Sequence, residues 1–243
     1  MQSIGRTDIG RLRSTNQDAY VCGHLSDSVV YAVVCDGMGG ASGGNIASTM
    51  AIRTITKRLT ESYRKGMTIA SMQHVLESAI AAANIEIYDE AAADPELRGM
   101  GTTLVLTIVI GDQVLVAHIG DSRAYVITAD WEIEQITKDH SVVQQMVERG
   151  QITPEEAKNH PRRNFITRAL GVADTVACDF AEFQLPKGAM VLCCSDGLSG
   201  LVDASEMVQI ASTVKAADLP DRLIAAANRA GGSDNITVTI VTG

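Results

Sequence analysis

Aromatic residues are scarce in this chain of 243 residues: they make up only 4% of it, whereas hydrophobic residues make up 46%. We therefore expect a core of aliphatic side chains, and so high a hydrophobic content excludes an intrinsically disordered protein. Basic residues are also few, since 20 Lys and Arg stand against 29 Asp and Glu, for a formal net charge of −9. Because nucleic-acid binding depends on a basic surface, no nucleic-acid partner is expected.

Long apolar runs and paired cysteines are missing as well. No stretch approaches the roughly 18 apolar residues of a membrane-spanning helix, and residues 1–6 (MQSIGR) lack the apolar run of a signal peptide. The five cysteines are odd in number, form no C-x-x-C pair and lie in or beside apolar runs. We therefore expect reduced core cysteines in a cytoplasmic protein, without a membrane partner, a zinc site or a disulfide framework.

Two patterns indicate where the first helices and a hairpin lie. Apolar residues recur every three or four positions from 47 to 59 and again from 69 to 87, which predicts two consecutive helices with one buried face each. Apolar runs at 103–110 and 113–119 flank Gly111-Asp112, a two-residue connection typical of a hairpin.

The remaining elements favour an antiparallel architecture. A helical stretch is predicted from 141 to 159, with a helix-start signal at Thr153-Pro154. Strands joined by tight turns and helices arriving in pairs predict packed antiparallel sheets flanked by helices, not βαβ alternation. Since the chain has no linker rich in Pro, Gly or Ser and no internal repeat, we expect a single domain over residues 1–243.

Aspartates lie at the ends of predicted strands, where a sheet holds side chains rigidly. Asp36 and Asp196 each end an apolar strand and precede a glycine, Asp234 comes just before the final strand, and Asp18 and Asp121 also border strands. A single Asp-Gly is typical of an ordinary turn, but carboxylates brought together repel unless protons or cations neutralise them. Ligation by oxygen alone favours Mg²⁺ or Mn²⁺, and two such ions about 3.5–4 Å apart can hold a bridging hydroxide for displacement at phosphorus.

Six short motifs, five of which contain these aspartates, follow one another along the chain. They are RSTNQD at 13–18, VVCDGMGG at 33–40, GTT at 101–103, GDSR at 120–123, SDGL at 195–198 and SDNIT at 233–237. Together they resemble, from about residue 5 to residue 241, the type 2C metal-dependent Ser/Thr protein phosphatases (the PPM family) in their compact bacterial form. The resemblance implies an α/β (α+β) fold, a four-layer α-β-β-α sandwich of two antiparallel sheets flanked by helix pairs, with a flap insertion at about 139–171.

The resemblance also implies a set of metal ligands. Asp36 would bridge two metal ions, and the Gly37 carbonyl would complete the first site. Asp196 and Asp234 would hold the second ion, and Asp121 would contribute to a weaker third site. The implied cofactors are two Mn²⁺ or Mg²⁺ ions, with a possible third.

Two more residues are assigned catalytic roles by the resemblance, beside Asp36. Asp18 would act mainly on metal-bound water, and Arg13 would clamp the substrate phosphate, which its planar guanidinium suits. The chain departs from the wider family at Met38, where many eukaryotic members have a His assigned as general acid, so a metal-bound water is expected to supply the proton. Gln17 replaces an acid, which removes one charge near the first metal.

The implied activity is hydrolysis of phosphoserine and phosphothreonine in proteins. A metal-bridged hydroxide would attack phosphorus directly, so that no phosphoenzyme forms. The expected partners are phosphorylated proteins and a bacterial Ser/Thr kinase whose action the chain reverses, and a monomer is expected. The implied flap has no Asp or Glu from 157 to 173 but carries four cations, and we predict that this segment docks phosphoproteins. The four are Lys158, Arg162, Arg163 and Arg168.

Other enzyme classes and one non-enzyme function are the alternatives to a metal-dependent phosphatase. A cysteine phosphatase is excluded because no cysteine begins a C-x₅-R motif, and neither D-x-D nor a P-loop motif occurs. His118 with Asp121 faintly suggests a His/Asp dinuclear phosphoesterase, whose downstream histidine motifs are missing. Residues 37–43 (GMGGASG) resemble a dinucleotide-binding loop, although Asp36 would repel a pyrophosphate there. The non-enzyme alternative is a catalytically silent pseudophosphatase that binds phosphoproteins.

Overall fold

The computed structural model describes residues 1–40 and 43–243. Within them the chain forms eleven β-strands, seven α-helices and a 3₁₀ helix at Pro95–Leu97. The strands are β1 (Gln2–Asp8), β2 (Asp18–Ser26), β3 (Val29–Met38), β4 (Gly101–Thr102), β5 (Leu104–Ile110), β6 (Gln113–Ile119), β7 (Arg123–Ile127), β8 (Ile133–Gln135), β9 (Asp179–Gln184), β10 (Met190–Cys194) and β11 (Ile236–Thr242). The helices are α1 (Gly43–Ser62), α2 (Ile69–Ala93), α3 (Val142–Glu148), α4 (Pro154–Lys158), α5 (Asp196–Ser199), α6 (Ala204–Ala211) and α7 (Leu219–Arg229).

The strands form two antiparallel sheets. One sheet has the order β1-β11-β10-β7-β8, and the other has the order β2-β3-β5-β6-β9, with β4 added beside β3. The two ends of the chain meet in the first sheet, where Gln2 lies opposite Thr242. The antiparallel architecture predicted from the tight turns is confirmed, and the α1–α2 pair leads back into the same sheet without a parallel crossover.

Burial on both faces explains why the central strands are continuously apolar. In β3, Val33 and Cys35 pack in the cluster that includes α1 and α2, while Val30 and Val34 pack against residues of the other sheet. Because successive side chains of a strand point to opposite faces, both faces need apolar residues when both are covered. A third cluster joins α5, α6 and α7 to the outer face of β10 and β11. The layers therefore run helix, sheet, sheet, helix, which confirms the four-layer sandwich.

The two long helices match their predicted apolar faces. Ala47, Ala51, Ile55 and Leu59 of α1 are fully buried, four residues apart. The side chain of Thr68 caps the start of α2 by accepting a hydrogen bond from the Ser71 amide. No helix in the described ranges, 1–40 and 43–243, has the length and hydropathy needed to cross a membrane.

The helical stretch predicted from 141 to 159 forms two separate helices, α3 and α4. Gly150 between them has a φ of 66°, a left-handed conformation that interrupts a helix. The second helix then starts at Pro154 with a capping box between Thr153 and Glu156, as the sequence predicts. Two other short elements, β4 and α5, were not predicted, since neither is long enough to show a period.

Candidate metal centre

Antiparallel pairing brings the predicted carboxylates to one edge of the two sheets. Asp18 at the start of β2 lies opposite Asp36 near the end of β3. Asp196 begins α5 just after β10, and Asp234 precedes β11, the strand paired with β10. The carboxylate of Asp36 is close enough to feel the charges of those three residues and of Asp121. The five aspartates selected from the sequence therefore form one cluster.

Burial and mutual repulsion hold protons on this cluster. Burial, and next the charge of Asp18, raises the pKa of Asp36 well above its ordinary value. Burial also raises the pKa of Asp18 to about 7 and, with the charge of Asp196, that of Asp121 to about 8. The pKa of Asp196 rises through burial and the neighbouring Asp234. A cation would relieve this repulsion and favour the charged carboxylates, so the electrostatics fit a metal site.

Unpartnered oxygen atoms give an independent indication of a cation site. Within the described residues, Oδ1 of Asp18 and Oδ1 of Asp196 are buried and accept no hydrogen bond. A buried acceptor without a partner is costly, and in native proteins such an atom commonly contacts a water molecule or an ion. The donor set is made of carboxylate and carbonyl oxygens, the ligands that Mg²⁺ and Mn²⁺ prefer. The residues present therefore fit the expected ions.

Two hydroxyl groups orient Asp18. Ser195 Oγ and Thr237 Oγ1 donate to the same atom, Asp18 Oδ2, at 2.7 and 2.6 Å. Thr7 Oγ1 lies 2.7 Å from Thr237 Oγ1 and in turn accepts from Asn16 Nδ2 at 2.9 Å, so the bonds form a chain. Ser195 and Thr237 were not predicted to have a role, although both lie within the matched motifs. Ser195 directly precedes Asp196, and Thr237 lies three residues after Asp234. This closeness to candidate metal ligands was the signal that could have identified them.

Glycines at the site allow close approach of backbone segments. A Cβ atom on Gly37 would collide with the carbonyl oxygen of Gly44 at the start of α1. Gly39 has a φ of 122°, and a Cβ there would lie 2.6 Å from Met100 Cα. Gly37 therefore lets the end of β3 approach the start of α1, and Gly39 lets the chain pass close to Met100. Residues 41 and 42 of the predicted glycine-rich loop lie outside the described residues.

The N-terminal loop carries Arg13 to the cluster. Arg13 Nη2 donates to Asp234 Oδ2 at 2.7 Å, and this hydrogen bond raises the pKa of Arg13. Asn235 fixes the loop, because its Nδ2 donates to the carbonyls of Ile9 and Thr15 and its Oδ1 accepts from the Gln17 amide. Half of the Arg13 side chain is exposed, so the guanidinium is both near the carboxylates and accessible. The bracing role of Asn235 was not predicted from the sequence.

Thr103 connects Asp36 with the segment that carries Asp121. Its Oγ1 accepts from the Asp36 amide at 2.9 Å and lies 2.7 Å from Ser122 Oγ. The Thr103 amide also donates to the Asp36 carbonyl at 2.8 Å. The GTT and GDSR motifs therefore meet in space, and Thr103 braces the residue assigned to bridge the two ions.

The cations of the flap differ in whether they are already paired. Lys158 lies 3.0 Å from Glu155, and Arg168 Nη1 lies 2.7 Å from Asp179 Oδ1. Arg162 and Arg163 form no ion pair within the described ranges. Of the four predicted docking cations, these two are the ones available to an anionic partner.

Histidines cluster beside the flap and not with the aspartates. The ligand atoms of His118, His140 and Asp179 lie within 4.8 Å of one another, and the two rings stack with centroids 4.6 Å apart. Their nitrogens are used: His118 Nε2 lies 2.9 Å from the Lys138 carbonyl, and His140 contacts Gly120 and Asp179. No recorded hydrogen bond among residues 1–40 and 43–243 joins His118 to Asp121, so the His/Asp phosphoesterase alternative gains no support.

Comparison with known proteins gives matches over nearly the whole chain. The sequence model of the protein phosphatase 2C family matches residues 10–229. The serine/threonine phosphatase Stp of Listeria innocua is 38% identical over 242 residues, covering 99% of this chain and 95% of the Listeria protein.

Solved structures agree with the sequence matches. Stp1, the serine/threonine phosphatase of Staphylococcus aureus, has a TM-score of 0.93 at 34% identity, covering all of this chain and 96% of the other. The catalytic domain of the serine threonine protein phosphatase PstP, in complex with two manganese ions, has a TM-score of 0.85 at 34% identity, covering 98% and 96% of the two chains.

Proposed function

Because the chain belongs to the protein phosphatase 2C family, we propose that its aspartate cluster is the dinuclear metal centre at which it hydrolyses phosphoserine and phosphothreonine in proteins. The chain is a metal-dependent protein serine/threonine phosphatase, as its named relatives are. The observation that carries the site assignment is the cluster around Asp36, in which four of the five carboxylates have raised pKa values and two carboxylate oxygens are buried without a hydrogen bond. The accessible Arg13 at its edge adds a group for phosphate.

The ligands of the ions follow from this cluster. Asp36 and the Gly37 carbonyl would hold the first ion, and Asp36, Asp196 and Asp234 the second, with Asp121 in a weaker third site. When bound, Mn²⁺ or Mg²⁺ ions neutralise the carboxylates, offset charge on the phosphoryl oxygens and activate water for in-line displacement. Supporting this set, Asp18, Asp36 and Asp196 lie within strands or a helix, near their ends. Asp121 and Asp234 lie in short connections, each two residues from a strand.

Arg13 and Asp18 have separate tasks in this proposal. The Arg13 guanidinium binds two oxygens of the substrate phosphate, for which it exchanges its present partner, Asp234. Asp18 holds the attacking water through Oδ1, the atom left without a hydrogen bond, while Ser195 and Thr237 keep Oδ2 in place. Positioning of water by a fixed carboxylate is ordinary general-base geometry.

The leaving alkoxide receives its proton from water in this proposal. Met38 is paired with Gly101 at the end of β3, and its thioether has no proton to donate. The Asp18 carboxyl, with a pKa of about 7 in the metal-free protein, is too deeply engaged with Ser195 and Thr237 to turn toward a leaving group.

The domain organisation and partners of the enzyme are also proposed. We infer a single phosphatase domain over residues 1–243 with the flap at about 139–171, acting as a monomer in the cytoplasm. Its substrates are phosphorylated proteins, and a Ser/Thr kinase whose action it reverses is the proposed partner. The flap cations Arg162 and Arg163 support an anionic, phosphorylated docking partner.

The test is hydrolysis of a phosphothreonine peptide while Mn²⁺ is titrated from zero. We compare the wild type with Asp36→Ala and with Asp112→Ala, a matched substitution in the exposed β5–β6 turn. The wild type and Asp112→Ala should both require Mn²⁺ and have equal kcat values. Asp36→Ala should have a kcat at least a thousandfold lower, because this substitution removes the proposed ligand of both ions.

A wild-type chain that stays inactive at every Mn²⁺ concentration would instead support the pseudophosphatase alternative. The retained cluster does not favour that alternative, because a silent binding module has no need of five carboxylates gathered at one edge of the sheets. A rapid-quench experiment completes the test, since a covalent phosphoenzyme would contradict direct displacement by water.

A further inference from the structure

The dipeptide Asp139-His140, at the base of the flap, holds the GDSR segment on both sides of Asp121. Asp139 forms a bidentate ion pair with Arg123, with Nη2 to Oδ2 at 2.7 Å and Nε to Oδ1 at 2.9 Å. His140 bonds to Gly120 twice: its amide donates to the Gly120 carbonyl at 2.8 Å, and its Nδ1 accepts from the Gly120 amide at 3.1 Å. Asp121 is therefore held indirectly, through the backbone of Gly120 on one side and the side chain of Arg123 on the other.

The hydrogen bonds settle the tautomer of His140. Since Nδ1 accepts the Gly120 N–H, the ring proton is on Nε2, which donates to Asp179 Oδ2 at 3.2 Å. Burial lowers the pKa of His140, which favours this neutral form. Arg168 Nη1 lies 3.2 Å from the same Nε2, and its own bond goes to Asp179 Oδ1. A metal ion at Nε2 would have to displace that proton and the guanidinium, so the histidine pair is a brace and not a cation site.

His140 also connects this brace to the flap. Its carbonyl accepts from the Thr167 amide at 2.7 Å, and its Nε2 reaches Asp179, the partner of Arg168. The ring is 7% exposed and stacks on His118, so it has little freedom to rotate. One side chain thus contacts the backbone beside Asp121 with one nitrogen and the anchor of the flap with the other.

We propose that His140 is a positioning residue. Through Nδ1 it holds the GDSR segment so that the Asp121 carboxylate is placed for the weaker cation site, and through Nε2 it connects this segment to the flap. The proposal rests on the phosphatase function proposed above, and it concerns a residue that the matched motifs do not contain. Groups that orient a metal ligand typically change metal affinity by about 10–100-fold when removed.

Two substitutions separate the tasks of the two ring nitrogens. His140→Asn places an oxygen near the position of Nδ1 and keeps an acceptor for Gly120, but gives up the bond to Asp179. His140→Gln places an amide nitrogen near the position of Nε2 and keeps the bond to Asp179, but leaves the Gly120 amide without its partner. Asp121→Ala gives the signature of a lost weaker site.

The readouts are calorimetric Mn²⁺ binding and hydrogen exchange of the flap. His140→Gln should weaken the lower-affinity Mn²⁺ site about tenfold, toward Asp121→Ala, while His140→Asn changes it less than twofold. His140→Asn should instead raise hydrogen exchange at residues 160–168, because the bond from Nε2 is lost. Equal Mn²⁺ affinities in the two variants, or the reverse order, would overturn the proposal.

A measurement on the wild-type chain covers the case in which a variant does not fold. The Gly120 amide and His140 Nε2–H resonances should both shift when Mg²⁺ fills the weaker site, and not when it fills only the tighter sites. Resonances that stay unchanged at full occupancy would overturn the coupling. Asp36→Ala is the separate control for the metal centre, because it should lose Mn²⁺ binding. Unchanged Mn²⁺ binding in Asp36→Ala would contradict the proposed metal centre, whereas equal Mn²⁺ affinities of the two His140 variants would contradict only the His140 proposal.

Discussion

At the scale of single residues, neutral hydroxyl groups decide which carboxylate oxygens remain available for chemistry. Both hydrogen bonds to Asp18 go to Oδ2, from Ser195 and Thr237, and Oδ1 is left buried without a partner. Hydrogen bonds to a charged group contribute about 1.5–3 kcal/mol each. The two hydroxyls therefore fix the side-chain rotation and favour the ionised form of Asp18 without adding a charge to the crowded cluster.

We predict that Thr237→Val lowers kcat about tenfold, since one charge-assisted hydrogen bond of this strength corresponds to roughly a factor of ten in rate. Loss of the donor also raises the pKa of Asp18, because the Thr237 hydrogen bond lowers it. The acidic limb of the pH–rate profile should accordingly move to higher pH. The matched control is Thr239→Val on the same strand, which makes no hydrogen bond to Asp18; an equal effect of the two substitutions would contradict the prediction.

At the scale of elements, the flap is held at its two ends and presents cations between them. Ser141 caps α3 by accepting from the Gln144 amide, and the strand-like pair of Ser141 and Ile166 closes the base. Beyond Arg168, the Leu170 amide and carbonyl both bond to Thr102 of β4. The segment between these anchors carries Arg162 and Arg163, which lack carboxylate partners among the described residues.

We predict that reversing these two charges, in Arg162→Glu/Arg163→Glu, raises KM for a phosphoprotein roughly fivefold and spares a small aryl phosphate. Exposed charge pairs contribute up to about 1 kcal/mol each. A small aryl phosphate has no protein surface that could dock on the flap, so its KM should stay unchanged. The control is reversal of Arg64 and Lys65 in the α1–α2 turn. Equal changes in KM for the two substrates would show that the flap does not serve in docking.

At the scale of the whole molecule, two sheets concentrate negative charge at one edge of a chain that is already acidic. Strand ends from both sheets bring the aspartates together, and the interior between the sheets is filled by Val, Ala and Cys side chains. The metal-free fold therefore holds protons on Asp18 and Asp121, with pKa values of about 7 and 8. In the unfolded chain the same groups titrate near their ordinary value of about 3.9.

We predict that the metal-free protein loses stability as pH rises from about 5.5 to 8.5. The folded state binds more protons than the unfolded state in this window, so the free energy of unfolding falls as pH rises through the folded pKa values. Saturating Mn²⁺ should reduce the fall, because the ions stabilise the ionised carboxylates of the folded state. The measurement is urea unfolding of chelator-treated protein at several pH values, with and without Mn²⁺.

The matched variant is Asp18→Asn/Asp121→Asn, which removes two of the shifted groups and should flatten the dependence on pH. A metal-free wild type that is more stable at pH 8.5 than at pH 5.5 would contradict the assignment of raised pKa values to this cluster.

The chain's sequence by itself determined the choice of candidate metal ligands and the periods of the larger elements. Asp36, Asp196 and Asp234 were identifiable because they follow or precede apolar strands beside glycines, and the faces of α1 and α2 were readable because a buried helix face repeats every three or four residues. The hairpin at Gly111-Asp112 is equally local. Signals of this kind depend only on neighbours within a few turns of chain.

Tertiary structure alone decided which distant groups meet. Asp18 and Thr237 are 219 positions apart in the sequence. They form a hydrogen bond only because the sheet that contains β11, between β1 and β10, packs on the sheet that contains β2. The bracing of Asp121 by Asp139 and His140, the break in the flap helix at Gly150 and the pairing of Arg168 with Asp179 have the same origin. Such contacts are set by strand register and layer packing, which no local pattern encodes, since the energy that selects them comes from burying the whole core at once.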